Sequence, residues 1–268
     1  LHSFPTRRSS DLARPQTTNK WQNSEIEGID IMLAIDVSTS MLAEDLKPNR
    51  LEAAKDVAAE FINGRPNDNI GITLFAGETF TQCPLTVDHA VLLDMIHNIK
   101  CGLITDGTAV GMGIANAVTR LKDSKAKSKV IILLTDGTNN KGDISPMTAA
   151  EIAKSFGIRV YTIGVGTNGM APYPYPVGNT VQYVSMPVEI DEKTLTEIAG
   201  TTDGNYFRAT SNSKLKEVYE EIDKLEKTKL NVKEYSKRDE EYHWFALAAF
   251  LCVLLEVLLR NSVLKKIP

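Results

Sequence analysis

Five oxygen-bearing side chains, Asp36, Ser38, Ser40, Thr108 and Asp136, sit in three short segments that could converge on one hard cation. The first segment reads Asp36-Val37-Ser38-Thr39-Ser40, an Asp-x-Ser-x-Ser pentad. At a strand-to-loop turn, alternate spacing directs one carboxylate and two hydroxyls toward a common point. That donor set suits Mg²⁺, or another hard divalent ion such as Ca²⁺ or Mn²⁺, because these ions take oxygen ligands and retain some of their water. Asp106-Gly107-Thr108 and Thr135-Asp136-Gly137 supply the other two oxygens. Taken singly, each has a plainer reading: Ser40 or Thr108 as a helix cap, Asp136 as a turn residue beside glycine. Asp106 is adjacent but stands outside the ligand set.

What could bring three segments to one rim is the order of elements. Residues 29–37 (IDIMLAIDV) form a nearly continuous apolar run ending in Asp36, the pattern of a parallel strand buried on both faces. Similar runs recur at 70–75, 130–135 and 160–165. Helical patterns alternate with them at 51–63, 89–99, 109–121, 145–156, 192–199 and 214–227. Alternation of this kind implies βαβ crossovers and an α/β fold, a Rossmann-like doubly wound and mostly parallel sheet with helices on both faces. Ligands of such sheets lie beyond the carboxyl ends of the strands, where Asp36 and Asp136 fall. Residues 79–83 are expected to form a short antiparallel edge strand that Pro84 ends, and 168–180, rich in proline, tyrosine and glycine, a surface loop.

Composition narrows the function classes. The 268 residues carry a formal net charge of −4 with a pI near 5.7, which gives no basic footprint for nucleic acid. Three cysteines are too few for a disulfide framework, although a Cys83–Cys101 bridge stays open at this level. Residues 1–12 (LHSFPTRRSSDL) match neither a signal peptide nor the following chain and are read as a non-native leader. A linker is expected at 13–26, the globular domain at 27–229, and a polar linker at 230–242. Residues 244–259 are apolar apart from Glu256, and 243–260 read as a transmembrane helix followed by a basic tail at 261–268. A buried amphipathic helix is the competing reading of that run. The tail would favour the cytoplasm and leave the domain outside it.

Other motifs fail on context. Gly164, Gly166 and Gly169 spell G-x-G-x-x-G after a strand, yet Ala171-Pro172-Tyr173-Pro174 follows where a phosphate-binding helix must start. No histidine is an evident base for Ser38. An Mg²⁺-dependent phosphohydrolase of the haloacid-dehalogenase type is the enzymatic alternative, since it too places an aspartate after the first strand. It needs a second aspartate two residues on, where this chain has Ser38.

The pentad, the later threonine and the later aspartate resemble the metal-ion-dependent adhesion site (MIDAS) of von Willebrand factor A domains. More narrowly, GIDIMLAIDVSTSM, NRLEAAK, DGTAVGMGIANAVTRL and SKVIILLTDGTNNKGDISPMTAAEIA are similar to the bacterial aerotolerance-operon (BatA) family. That resemblance implies a membrane-anchored binding module and not an enzyme. It implies direct or nearly direct metal contacts from Ser38, Ser40 and Thr108, water-mediated ones from Asp36 and Asp136, and a partner's Asp or Glu completing the shell. It further implies a bacterial inner-membrane location with a periplasmic domain, and other Bat-type proteins and a MoxR-type AAA ATPase as partners in oxidative-stress tolerance.

Overall fold

The computed structural model describes residues 16–17, 28–137, 139–167, 169–177, 180–231, 239–240 and 242–262. The expected leader at 1–12 lies outside the described residues, as does most of the basic tail. Two compact units are present, one spanning 26–231 and one built from the two termini. In the terminal unit, β1 (Gln16–Thr17) pairs antiparallel with β10 (Asp239–Glu240), and α7 spans Tyr242–Ser262.

The larger unit is an α/β sandwich around one six-stranded sheet. In chain order its elements are β2 (Asp30–Asp36), α1 (Arg50–Asn63), β3 (Asn69–Phe75), β4 (Thr79–Thr86), α2 (His89–His97), α3 (Val110–Leu121), β5 (Lys129–Thr135), α4 (Pro146–Ser155), β6 (Ile158–Val165), β7 (Met170–Val177), β8 (Thr180–Pro187), α5 (Glu192–Thr201), β9 (Tyr206–Ala209) and α6 (Asn212–Asn231). The sheet order is β4-β3-β2-β5-β6-β9, parallel throughout except for the β3–β4 pair.

Period-two alternation across two covered faces explains why β2 is apolar between its terminal residues Asp30 and Asp36. Ile31, Leu33 and Ile35 enter the core layer shared with α1, α2 and α6, while Met32 and Ala34 enter the layer shared with α3, α4 and α5. Both faces are covered, so no position on the strand tolerates a solvated side chain. Because β3 lies on one side of β2 and β5 on the other, the winding direction reverses between β2 and β5. Ligand sites of doubly wound sheets open at that reversal. Asp36 ends β2 and Asp136 follows β5, so the two carboxylates flank it.

Several sequence expectations need correction. The edge strand β4 runs on to Thr86 through Pro84; the register slips between Ile70 and Ile72, which places Pro84 and Leu85 in a bulge. An edge bulge is where a residue without an N–H is tolerated. Much of the expected loop at 168–180 belongs to the β7–β8 hairpin. Pro172, Pro174 and Pro176 occupy alternate positions, so all three can take non-hydrogen-bonded sites while Ala171, Tyr173 and Tyr175 keep the ladder. The four-residue strand β9 was also not anticipated. Cys83 and Cys101 are free thiols, which closes the disulfide question. The α7 helix covers the expected span, but among the described residues no helix is long and apolar enough to cross a membrane. What stands is an exposed helix with apolar side chains such as Leu251, Leu255 and Leu258 turned outward.

Candidate metal centre

All five expected ligands come to one rim. Asp36 is held from two sides: its Oδ1 accepts the Ser38 N–H at 2.9 Å and its Oδ2 accepts the Thr135 hydroxyl at 2.7 Å. The first bond turns the chain just beyond the strand, and the second ties the end of β2 to the end of β5. Ser38 and Ser40 hydroxyls lie 2.9 Å apart, and Ser40 donates to Asp136 Oδ1 at 2.8 Å. Thr108 arrives from the loop before α3, where its N–H meets Asn140 Oδ1 at 2.9 Å and its carbonyl accepts from the Asn140 N–H at 3.0 Å. A Cβ placed on Gly137 would sit 3.3 Å from Thr108 Oγ1, so the hydroxyl lies against the turn that bears Asp136.

The cap readings of Ser40 and Thr108 do not hold, and Asp136 does more than form a turn. Ser38 precedes a short 3-10 helix (Thr39–Leu42) without a side-chain cap bond, and Ser40 lies inside that helix. Ala109, not Thr108, occupies the cap position of α3, again without a side-chain bond. Asp136 spends its carboxylate on Ser40 and Arg50. The hydroxyls are therefore not consumed by capping.

Four of the five are buried: Asp36 has no exposed surface and Ser38, Thr108 and Asp136 have at most 4%. Burial, reinforced by the charge of Asp136, raises the Asp36 carboxyl to about 7 against the opposing hydrogen bonds of Ser38 and Thr135. Burial also raises Asp136, with Arg50 pulling the other way. The same negative field reaches Cys101, whose thiol donates to the Ser38 carbonyl and is pushed up to about 12 by burial and then by Asp36 and Asp136.

Arg50 is the residue that sequence reasoning missed. Its Nη1 donates to Asp136 Oδ2, while Nε and Nη2 form a fork on Asp45, each bond being 2.7 Å long. Asp45 also accepts the Thr167 N–H at 2.8 Å; despite burial, the Arg50 and Thr167 contacts hold it below the ordinary carboxylate range. A basic residue at a helix start reads as solvated, so only the three-dimensional approach of Asp136 discloses its role. Thr135 was likewise read as the end of a strand. Asp106 braces the rim from outside, accepting both the N–H and hydroxyl of Thr39.

The donor set fits a hard divalent cation. Among the described residues there is no group of three or more His, Cys, Asp and Glu arranged for a metal, so the coordination available here depends on hydroxyls. Asp136 shares the Arg50 guanidinium with Asp45, while Asp36 is held by the Ser38 N–H and the Thr135 hydroxyl; the unneutralised charge of the buried pair is what a divalent ion would offset. As a phosphohydrolase centre the arrangement is poor: both Asp36 oxygens are tied by donors, and the position two residues on is a serine.

Residues 30–221 match the von Willebrand factor type A domain. Among solved structures, the chain is similar to BatB of Bacteroides thetaiotaomicron at 34% identity and a TM-score of 0.66, covering 75% of this chain and all of that one. It is equally similar to an aerotolerance-related membrane protein of Bacteroides fragilis, at 34% identity and a TM-score of 0.64 over 74% of this chain and all of that one. Proximal thread matrix protein 1 of the mussel byssus, solved with a zinc-occupied MIDAS motif, aligns at 25% identity and a TM-score of 0.59 over 74% of this chain and 45% of that one. An uncharacterised Borreliella burgdorferi protein is 28% identical over 96% of this chain and 76% of its own length. Against a UPF0353 protein of Mycolicibacterium paratuberculosis the identity is 32% over 70% of this chain, which spans 58% of that relative. On the match across 30–221 and these likenesses, the chain belongs to the von Willebrand factor type A domain family.

Proposed function

We propose that this protein is a metal-dependent protein-binding module, not an enzyme, attached to the bacterial inner membrane. Ser38, Ser40 and Thr108 would offer hydroxyls to Mg²⁺ or another hard divalent ion, and Asp36 and Asp136 would act through bound water. A partner's Asp or Glu would complete the shell, so that binding requires the ion. The observation that supports this most is the chain of contacts from Ser38 through Ser40 to Asp136, with a second buried carboxylate, Asp36, beside it. The zinc-occupied site named for the byssus protein lends support from a relative.

Membrane attachment is supported by α7, whose Leu247, Phe250, Leu251, Val253, Leu254 and Leu255 are all exposed, and by the membrane designation of the Bacteroides fragilis protein. The domain would face the periplasm. An aerotolerance role, with other Bat-type proteins and a MoxR-type AAA ATPase as partners, is the biological setting we propose from the two Bacteroides likenesses. Affinity capture from solubilised bacterial envelopes, in Mg²⁺ and in EDTA, tests the binding mechanism. The expected result is a partner set retained only with the ion and lost from a Ser38→Ala/Ser40→Ala variant; full retention by that variant would refute it. Persistence of the full chain in membranes after carbonate washing, and its release on removal of α7, tests the attachment.

A further inference from the structure

Beside the cation rim lies a second feature that the metal reading does not use. A cavity of about 250 Å³ opens between the 3-10 helix and the β7–β8 hairpin, and it is lined by Ser40, Ala43, Tyr173, Tyr175, Met186 and Val188 together with Thr39 and Arg50. Ser40 is common to both: its hydroxyl binds Asp136, while the residue forms part of the cavity wall. The hairpin is held at its base, where the Val188 N–H donates to the Gly169 carbonyl at 2.8 Å. The Glu44 N–H donates to the Pro172 carbonyl at 2.9 Å, and Arg208 holds the carbonyls of Gly166 and Thr167 at 3.1 and 3.0 Å.

We infer that this cavity receives an apolar side chain of the same partner segment whose carboxylate meets the cation, so that the recognised motif is an acidic residue near a leucine-like or aromatic one. The inference rests on the metal reading of the site and adds the chemistry of the partner to it. Three observations lead to this occupant. First, the volume is below the range of about 300–1,000 Å³ typical of small-molecule pockets and suits a single side chain. Second, the wall offers no free charge: Arg50 is spent on Asp45 and Asp136, so an acidic group finds its counter-charge only at the cation. Third, among the described residues of the 26–231 unit, six of the eleven large apolar side chains that are exposed lie on this hairpin: Met170, Tyr175, Val181, Tyr183, Val184 and Met186. Tyrosine and methionine concentrated on one exposed ribbon are the composition of a binding surface.

The test uses an array of hexapeptides, each with one aspartate and with a single leucine or tyrosine one, two or three positions to either side, probed with the full chain in detergent. In Mg²⁺, at least one spacing should bind about tenfold more strongly than the peptide with aspartate alone, the gain expected from burying one apolar side chain. A Tyr175→Ser/Met186→Ser variant should lose that gain while keeping wild-type Mn²⁺ affinity and the aspartate-only signal. No gain at any spacing, or a gain that survives in the variant or in EDTA, would overturn the inference. If the wild-type chain takes up no Mn²⁺, the metal reading itself falls, and this inference with it.

Discussion

Replacing Arg50 with leucine should be among the most damaging single changes at the rim. The guanidinium makes three bonds of 2.7 Å, two to Asp45 and one to Asp136, and all three side chains are at least nine-tenths buried. Leucine keeps an apolar stem but leaves two carboxylates in a dry site without a counter-charge. Removing one partner of a buried pair costs about 3–5 kcal/mol, a large share of the roughly 5–15 kcal/mol that holds a domain folded. For a unit of this size the melting point should fall by roughly 6–20 °C. Loss of the positive charge should also tighten cation binding, so saturating Mn²⁺ should raise the melting point of Arg50→Leu by more than that of wild type. Thermal and urea denaturation followed by circular dichroism, with and without Mn²⁺, measure both effects. A variant within about 1 kcal/mol of wild type, or one that Mn²⁺ stabilises less than wild type, would refute the account of Arg50 as the internal counter-ion.

Other predictions follow from neighbouring groups. Asp36 has a folded-state carboxyl raised from 3.8 to about 7, so its charge opposes folding above pH 7 and stops doing so as the pH falls below 3.8. The metal-free protein should therefore melt at a higher temperature at pH 6 than at pH 8, while Mn²⁺ affinity should decline over the same interval because protons compete for the site; calorimetry and titration at both pH values check this. Glu226 shows the opposite sign: it accepts from Arg159, Tyr161 and Ser128, and despite burial these partners hold its carboxyl below 4.5. Its contribution is present above pH 4.5 and fades as the pH drops through the lowered value, and Glu226→Gln should cost about 1–3 kcal/mol at pH 7 in urea denaturation. Gly111→Ala should destabilise by about 1–3 kcal/mol in the same assay, because its Cβ would lie 2.1 Å from the Ile144 carbonyl oxygen and must push α3 from the segment beside it.

The parts of the molecule legible in the sequence are those where one physical rule dominates. Strands β2, β3, β5 and β6 are buried on both faces, so unbroken apolar runs announce them, and the order of runs and helices implies the parallel sheet and its ligand-bearing rim. Asp36 and Asp136 were legible because each directly follows such a run. The β7–β8 hairpin was not, since three prolines in seven residues argue against a strand unless their alternate register is recognised. Nor was β9, only four residues long and paired on one side alone. Arg50 and Thr135 escaped notice because their roles depend on partners 86 and 99 residues away in the chain. For Ser40 and Thr108, local sequence alone favoured caps as much as ligands; the cap geometry removed that reading.

The central claim is that the Ser38, Ser40, Thr108, Asp36 and Asp136 rim binds a divalent ion. Titration of the metal-free protein with Mn²⁺, followed by electron paramagnetic resonance, tests it most directly. The account predicts one ion per chain, displaced by Mg²⁺, and affinity at least about 10-fold weaker in a folded Ser38→Ala/Ser40→Ala variant, as expected when hydroxyl donors are removed from a hard-ion site. Absence of saturable binding, or an unchanged affinity in that variant, would contradict it.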